Sequence, residues 1–75
     1  MPNRSKARPD LKAIGSRVRS LRGRMQQEVF ASELGLSQGQ LSKVERGKSA
    51  PTLETLLRLA SAFGKTLDWI VLGKD

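Results

Sequence analysis

Phe30-Ala31-Ser32-Glu33-Leu34-Gly35-Leu36-Ser37-Gln38-Gly39-Gln40-Leu41-Ser42-Lys43-Val44-Glu45-Arg46-Gly47 is the stretch whose reading decides the fold. Phe30, Ala31 and Leu34 recur at helical spacing. Gly35 can take the left-handed conformation that closes a helix. Ser37 is a good N-cap for a second helix running to about Arg46, with Leu41 and Val44 as its inward pair and Leu36 packing from just before the cap. Gly47 ends it. The pattern is that of two short helices joined by a tight turn. The outer face at the start of the second helix carries only Ser37, Gln38, Gly39, Gln40 and Lys43.

Outward from this pair, the same signals place three more helices. Asp10 caps a helix that starts at Leu11, whose apolar stripe is Leu11, Ile14, Val18 and Leu21, and Gly23 can end it in a left-handed conformation. The helix that contains Phe30 begins at Gln27. After a loop from Lys48 to Pro51, Thr52 caps a fourth helix through about Phe63. Its predicted apolar face is Leu53, Leu56, Leu57, Ala60 and Phe63, and Gly64 stops it. Leu67 to Leu72 forms a short, almost wholly apolar fifth helix ended by Gly73. No segment alternates with period two, so the expected fold is all-α: a compact bundle of five helices with short connections. Residues 1–9, with Pro2 and Pro9 and little that is apolar, read as a flexible basic arm, and residues 10–75 as one domain.

Composition narrows the function. The chain has 75 residues, neither cysteine nor histidine, and a net charge of +7. Disulfides, thiolate metal sites and the commonest metal ligand and general base are therefore excluded. With no clustered carboxylates either, an enzyme is not expected. No apolar run approaches the ~20 residues of a membrane span, and no apolar segment follows the basic N-terminus as in a secretory signal. A cytoplasmic protein is the default. The charge is uneven: through Arg24 eight cationic residues face only Asp10, while from Met25 onward six basic and six acidic residues cancel. Such asymmetry favours a polyanionic partner, nucleic acid before membrane. A helix pair with a polar outer face can place that face against base edges in a major groove.

At this point the chain resembles the phage-repressor (Cro/repressor, Xre) helix-turn-helix family. The resemblance is carried by Ile14-Gly15-Ser16-Arg17-Val18-Arg19-Ser20-Leu21-Arg22, Ala31 to Gly35, Leu36-Ser37-Gln38, Leu41 to Lys48, Pro51 to Leu57 and Leu67-Asp68-Trp69-Ile70. It covers Leu11 to Gly73. It implies a lambda-repressor-like DNA-binding domain, with the helix-turn-helix at helices 2 and 3. It also implies a sequence-specific, double-stranded DNA-binding transcriptional regulator, expected to associate with the nucleoid. By resemblance, Gln27 holds a backbone phosphate and braces the residue opposite it, and Gln38 reaches a base edge, where an amide suits adenine. Gln40 contacts a base or a phosphate, Lys43 a base or the backbone, and Lys48 a phosphate. Arg46 is a further phosphate candidate. Arg22 and Glu45 match a structural pair tying helix 1 to helix 3.

Three departures from the family pattern stand out. The connection from Arg22 to Gln27 is about two residues short, which bears on the role of Gln27. Gln26 stands where a Ser or Thr cap is usual, a loss of ~1 kcal/mol at most. Gly39 offers the groove no side chain, which shifts weight to DNA shape. The arm residues Arg4, Lys6 and Arg8 can track phosphates or enter a minor groove, or contribute charge alone. Arg17 and Arg19 are expected to be partly solvated, with a phosphate contact as one option. The apolar fifth helix either caps the core or supplies an isologous dimer surface through Leu67, Trp69, Ile70 and Leu72. The dimer is favoured, since family members bind half-sites about one turn apart, ~34 Å. A palindromic operator and steric repression follow, or recruitment through an RNA polymerase contact. No cofactor is implied. The rival readings are an antitoxin with a toxin-binding surface, a restriction–modification controller, and a protein-interaction adaptor that lost DNA binding.

Overall fold

The computed structural model describes residues 8–74. The arm residues Arg4 and Lys6 lie outside them, while Arg8 is exposed in a non-helical lead into the first helix. Five helices follow: α1 Leu11–Arg22, α2 Gln27–Leu34, α3 Gln38–Glu45, α4 Leu53–Phe63 and α5 Leu67–Leu72. No strand occurs among the described residues. The caps expected at Asp10, Ser37 and Thr52 are present, and Thr66 adds one at α5. The side chains of Asp10, Ser37, Thr52 and Thr66 accept from the backbone N–H three residues on, removing one orphan donor from the first turn. Gln26 makes no such bond, so α2 alone starts without a side-chain cap. Gly23 ends α1 with φ 58 and ψ −125, a positive φ outside the left-handed helical region expected for it.

The core is assembled around five large, fully buried side chains, one from each helix: Val18, Phe30, Leu41, Leu59 and Ile70. Ile14, Ala31, Leu34 and Val44 surround them. Burying each large side chain stabilises the fold by roughly 1.5–3 kcal/mol before entropy is counted. Two expectations are corrected here. In α4 the inner line runs through Thr55 and Leu59, with Leu53 at 65% and Leu57 at 51% exposure. Leucines at 53, 56, 57 and 59 surround much of the helix, and their pattern alone does not select the inner face. Phe63 stands at the rim, its ring 5.9 Å from that of Phe30. Ile70, expected at a dimer surface, is instead fully buried. In a helix this short one residue must plug the core, and the middle of α5 faces it.

Two contacts set where α1 stands. Gly15 is buried against the carbonyls of Val44 and Glu45, where a Cβ would collide with both. Two residues on, the Arg17 guanidinium donates to the carbonyl oxygens of Ile70 (3.0 Å) and Val71 (3.3 Å). Arg17, partly solvated as expected, is therefore also a tie to the end of α5, where the helix dipole favours a cation. Among the described residues no buried side-chain nitrogen or oxygen lacks a partner.

Candidate nucleic-acid interface

The turn between α2 and α3 is built by backbone geometry. Gly35 takes φ 73 and ψ 26, the left-handed region that a side chain disfavours. Its N–H donates to Ser32 O, and Leu36 N–H donates to Ala31 O at 2.8 Å, closing α2 in two bonds. The chain then re-enters a helix at once. Ser37 Oγ accepts from Gln40 N–H, and Gln40 Oε1 accepts from Ser37 N–H, a reciprocal capping box. Gln40, expected to reach a base or phosphate, thus has its carbonyl oxygen committed to the cap, and its Nε2 group remains to donate outward.

Leu41 and Val44 anchor α3 in the core, which leaves Gln38, Gly39, Gln40 and Lys43 on its exposed side. Gly39 has nothing nearer its missing Cβ than Ser37 Oγ at 4.0 Å, so the gap it leaves is open. Lys48 is exposed in the loop beyond α3. Arg46 is exposed too, with Nε 3.3 Å from the carbonyl oxygen of Ser42. A shallow groove lined by Gln40, Lys43, Ser49, Pro51 and Thr55 separates this face from the start of α4.

Behind the outer face runs a continuous polar chain. Arg22 on α1 grips Glu45 at the end of α3 in a forked pair, Nε to Oε2 at 2.7 Å and an Nη to Oε1 at 3.0 Å. The Glu45 side chain is only 4% exposed. The pair expected from the resemblance is present and joins α1 to α3. The hydrogen bond to Glu45 holds the Arg22 pKa above its ordinary value, against the opposing effect of burial. Glu45 Oε1 also accepts from Gln27 Nε2 at 3.0 Å, and Gln27 Oε1 accepts from Gln38 Nε2 at 3.4 Å. Gln27, expected to brace the residue opposite it, meets Gln38. The link from Glu45 to Gln27 was missed in the sequence. Its only trace there is the spacing of Gln38 and Glu45, seven residues apart and so on one face of α3.

The helix-turn-helix family profile matches residues 18–70. The chain belongs to the helix-turn-helix family. Its branch is the phage-repressor-like one, and its architecture is that of a lambda-repressor-like DNA-binding domain. It is 46% identical over 56 residues to the uncharacterised helix-turn-helix-type transcriptional regulator y4dJ of Sinorhizobium fredii, covering 71% of each chain. It is 34% identical over 55 residues to the plasmid copy control protein CopR of Streptococcus agalactiae. That match takes in 73% of this chain and 60% of the copy control protein. In three dimensions it resembles the P22 c2 repressor in complex with a synthetic operator, with TM-score 0.73 and 28% identity over 81% of this chain and 96% of the repressor. It also resembles the restriction-modification controller protein C.AhdI of Aeromonas hydrophila, with TM-score 0.68 and 33% identity over 81% of this chain and 91% of the controller.

Proposed function

We propose that this helix-turn-helix protein is a sequence-specific, double-stranded DNA-binding transcriptional regulator that sets α3 in the major groove. The observation that carries the reading is the division of α3 into two faces. Leu41 and Val44 lock it into the core, while Gln38, Gln40 and Lys43 stand exposed on a helix braced by a capping box and the Arg22–Glu45 pair. Gln38 reads a base edge, Gln40 donates through Nε2, and Lys43 and Lys48 neutralise phosphates, with Arg46 and Gln27 at the margins. The excess positive charge, with Arg4, Lys6 and Arg8 in the arm, draws the protein to the polyanion at long range.

It acts as a homodimer on a palindromic operator. Leu72 at 58% exposure, half-buried Leu67 and Trp69, and the exposed Leu53 and Leu57 supply apolar surface for a two-fold contact. Repression is steric, by occupancy of a promoter, without catalysis, in the cytoplasm and on the nucleoid. No helix of the described residues is long and apolar enough to cross a membrane.

The likeness to C.AhdI favours one second reading, control of a restriction–modification system through the same DNA-binding surface. Selection of bound sequences from random duplexes tests the function. The expected result is two inverted half-sites about one helical turn, ~34 Å, apart. Recovery of unenriched sequence overturns sequence-specific binding. A recovered operator lying beside restriction and methylation genes selects the second reading over the first.

A further inference from the structure

We infer that Glu45, which lies behind the reading face, is a specificity-determining positioning residue: it dictates which end of the Gln38 amide faces the DNA. The inference rests on the base-reading role proposed for Gln38. Its basis is the hydrogen-bond chain Arg22–Glu45–Gln27–Gln38 and the directionality of each link.

An ionised carboxylate only accepts. Both Glu45 oxygens accept from the forked Arg22 guanidinium, which only donates. The end of the Gln27 amide that meets Glu45 Oε1 must therefore be its NH2, as the 3.0 Å contact has it. That leaves Gln27 Oε1 on the far side, able only to accept. The group of Gln38 opposite it must then donate, so Gln38 turns Nε2 toward Gln27 at 3.4 Å. The contact is long and weak, but the reverse orientation would set two carbonyl oxygens against each other. Gln38 is left with Oε1 and its second N–H free. One acceptor beside one donor is the complement of the adenine major-groove edge, N6–H2 beside N7. A carboxylate two helical turns away from Gln38, and itself almost fully buried, thus polarises the reading amide.

Glu45→Gln reverses the ladder. The new amide has one oxygen for the two Arg22 donors; with that oxygen in the place of Oε2, opposite Arg22 Nε, its NH2 takes the place of Oε1 and faces Gln27. Gln27 then turns its oxygen inward and its NH2 toward Gln38, and Gln38 answers with Oε1. Two N–H groups now face the groove, the complement of the two acceptors of guanine, N7 and O6.

The experiment measures relative affinities for duplexes carrying each of the four base pairs at the Gln38 position, for the wild type, Glu45→Gln, Gln38→Ala and the double variant. Circular dichroism confirms folding of each. The expected result is an adenine preference in the wild type that falls about fivefold or more, or passes to guanine, in Glu45→Gln. In the Gln38→Ala background, Glu45→Gln should leave the preference unchanged. If Glu45→Gln lowers affinity for all four duplexes equally and keeps the wild-type preference, Glu45 is only scaffold and the inference is overturned. A wild type without any preference among the four instead defeats the base-reading role of Gln38. Should Glu45→Gln fail to fold, Gln27→Met cuts the same chain while leaving the Arg22–Glu45 pair in place. Loss of adenine preference there supports the relay, and its retention overturns it.

Discussion

Gly15 on α1 packs against the carbonyl oxygen of Val44 on α3 with no space for even a methyl group. A Cβ built at Gly15 would collide with that oxygen and stand 2.7 Å from the carbonyl oxygen of Glu45. Both neighbours are backbone, so neither can swing aside. Gly15→Ala should therefore force the two helices apart and destabilise the protein by about 1–3 kcal/mol, despite the better helix propensity of alanine. Urea denaturation checks it. A stability equal to or above wild type would mean that α1 can slide without cost.

Gly39 is the opposite case. It sits in the first turn of α3 with open space where its Cβ would be. Gly39→Ala should raise stability by up to about 1 kcal/mol, visible as a higher Tm, because the unfolded chain loses freedom and nothing in the fold resists. The same methyl group enters the face proposed to meet DNA, so stability and operator affinity are best measured on the same samples.

Arg17 holds the last carbonyls of α5, a helix of only 6 residues. Arg17→Met keeps the apolar stem and removes the charged donors. A loss of about 1.5–3 kcal/mol is expected, with amide hydrogen exchange rising first in α5. Uniform exchange along all five helices would show that α5 does not depend on this tie.

Arg22→Met leaves the Glu45 carboxylate buried without its cation, a destabilisation of about 3–5 kcal/mol. The pH dependence has a definite sign. The folded state holds Arg22 above its ordinary pKa. This contribution is then fully present below the unfolded value and is lost only as pH rises through the higher folded value. Between neutral and mildly alkaline pH it should stay constant, so the gap between variant and wild type measured by denaturant titration should not narrow.

Lys48 and Gln38 should separate in their effects on DNA binding. Lys48→Ala is expected to weaken all duplexes alike and to reduce the salt slope by about one unit. Gln38→Ala should cost about 1–3 kcal/mol on the cognate operator and relax preference at one base pair. Fluorescence anisotropy at several salt concentrations distinguishes the two. A change of base preference in Lys48→Ala would mean that the loop reads sequence.

The sequence by itself determined the helices and their ends, because capping and left-handed turns are local events. Asp10, Ser37, Thr52 and Thr66 each act on a backbone N–H three residues away, and Gly35 acts on its own φ. It also determined the pair of helices that carries the polar face, since Leu41 and Val44 mark the inward side of α3, which leaves Gly39 and Lys43 opposite it and Gln38 and Gln40 on its flanks. Tertiary structure decided what depends on distant partners. Leu59 rather than Leu57 enters the core, and Ile70 leaves the surface. Arg17 finds the end of α5 as its partner. Above all, the Gln27 amide acquires a direction. Hydrogen-bond polarity at Gln38 is inherited from Glu45 through a residue on another helix. Nothing in local spacing encodes such an inheritance, because it exists only once α1, α2 and α3 are packed.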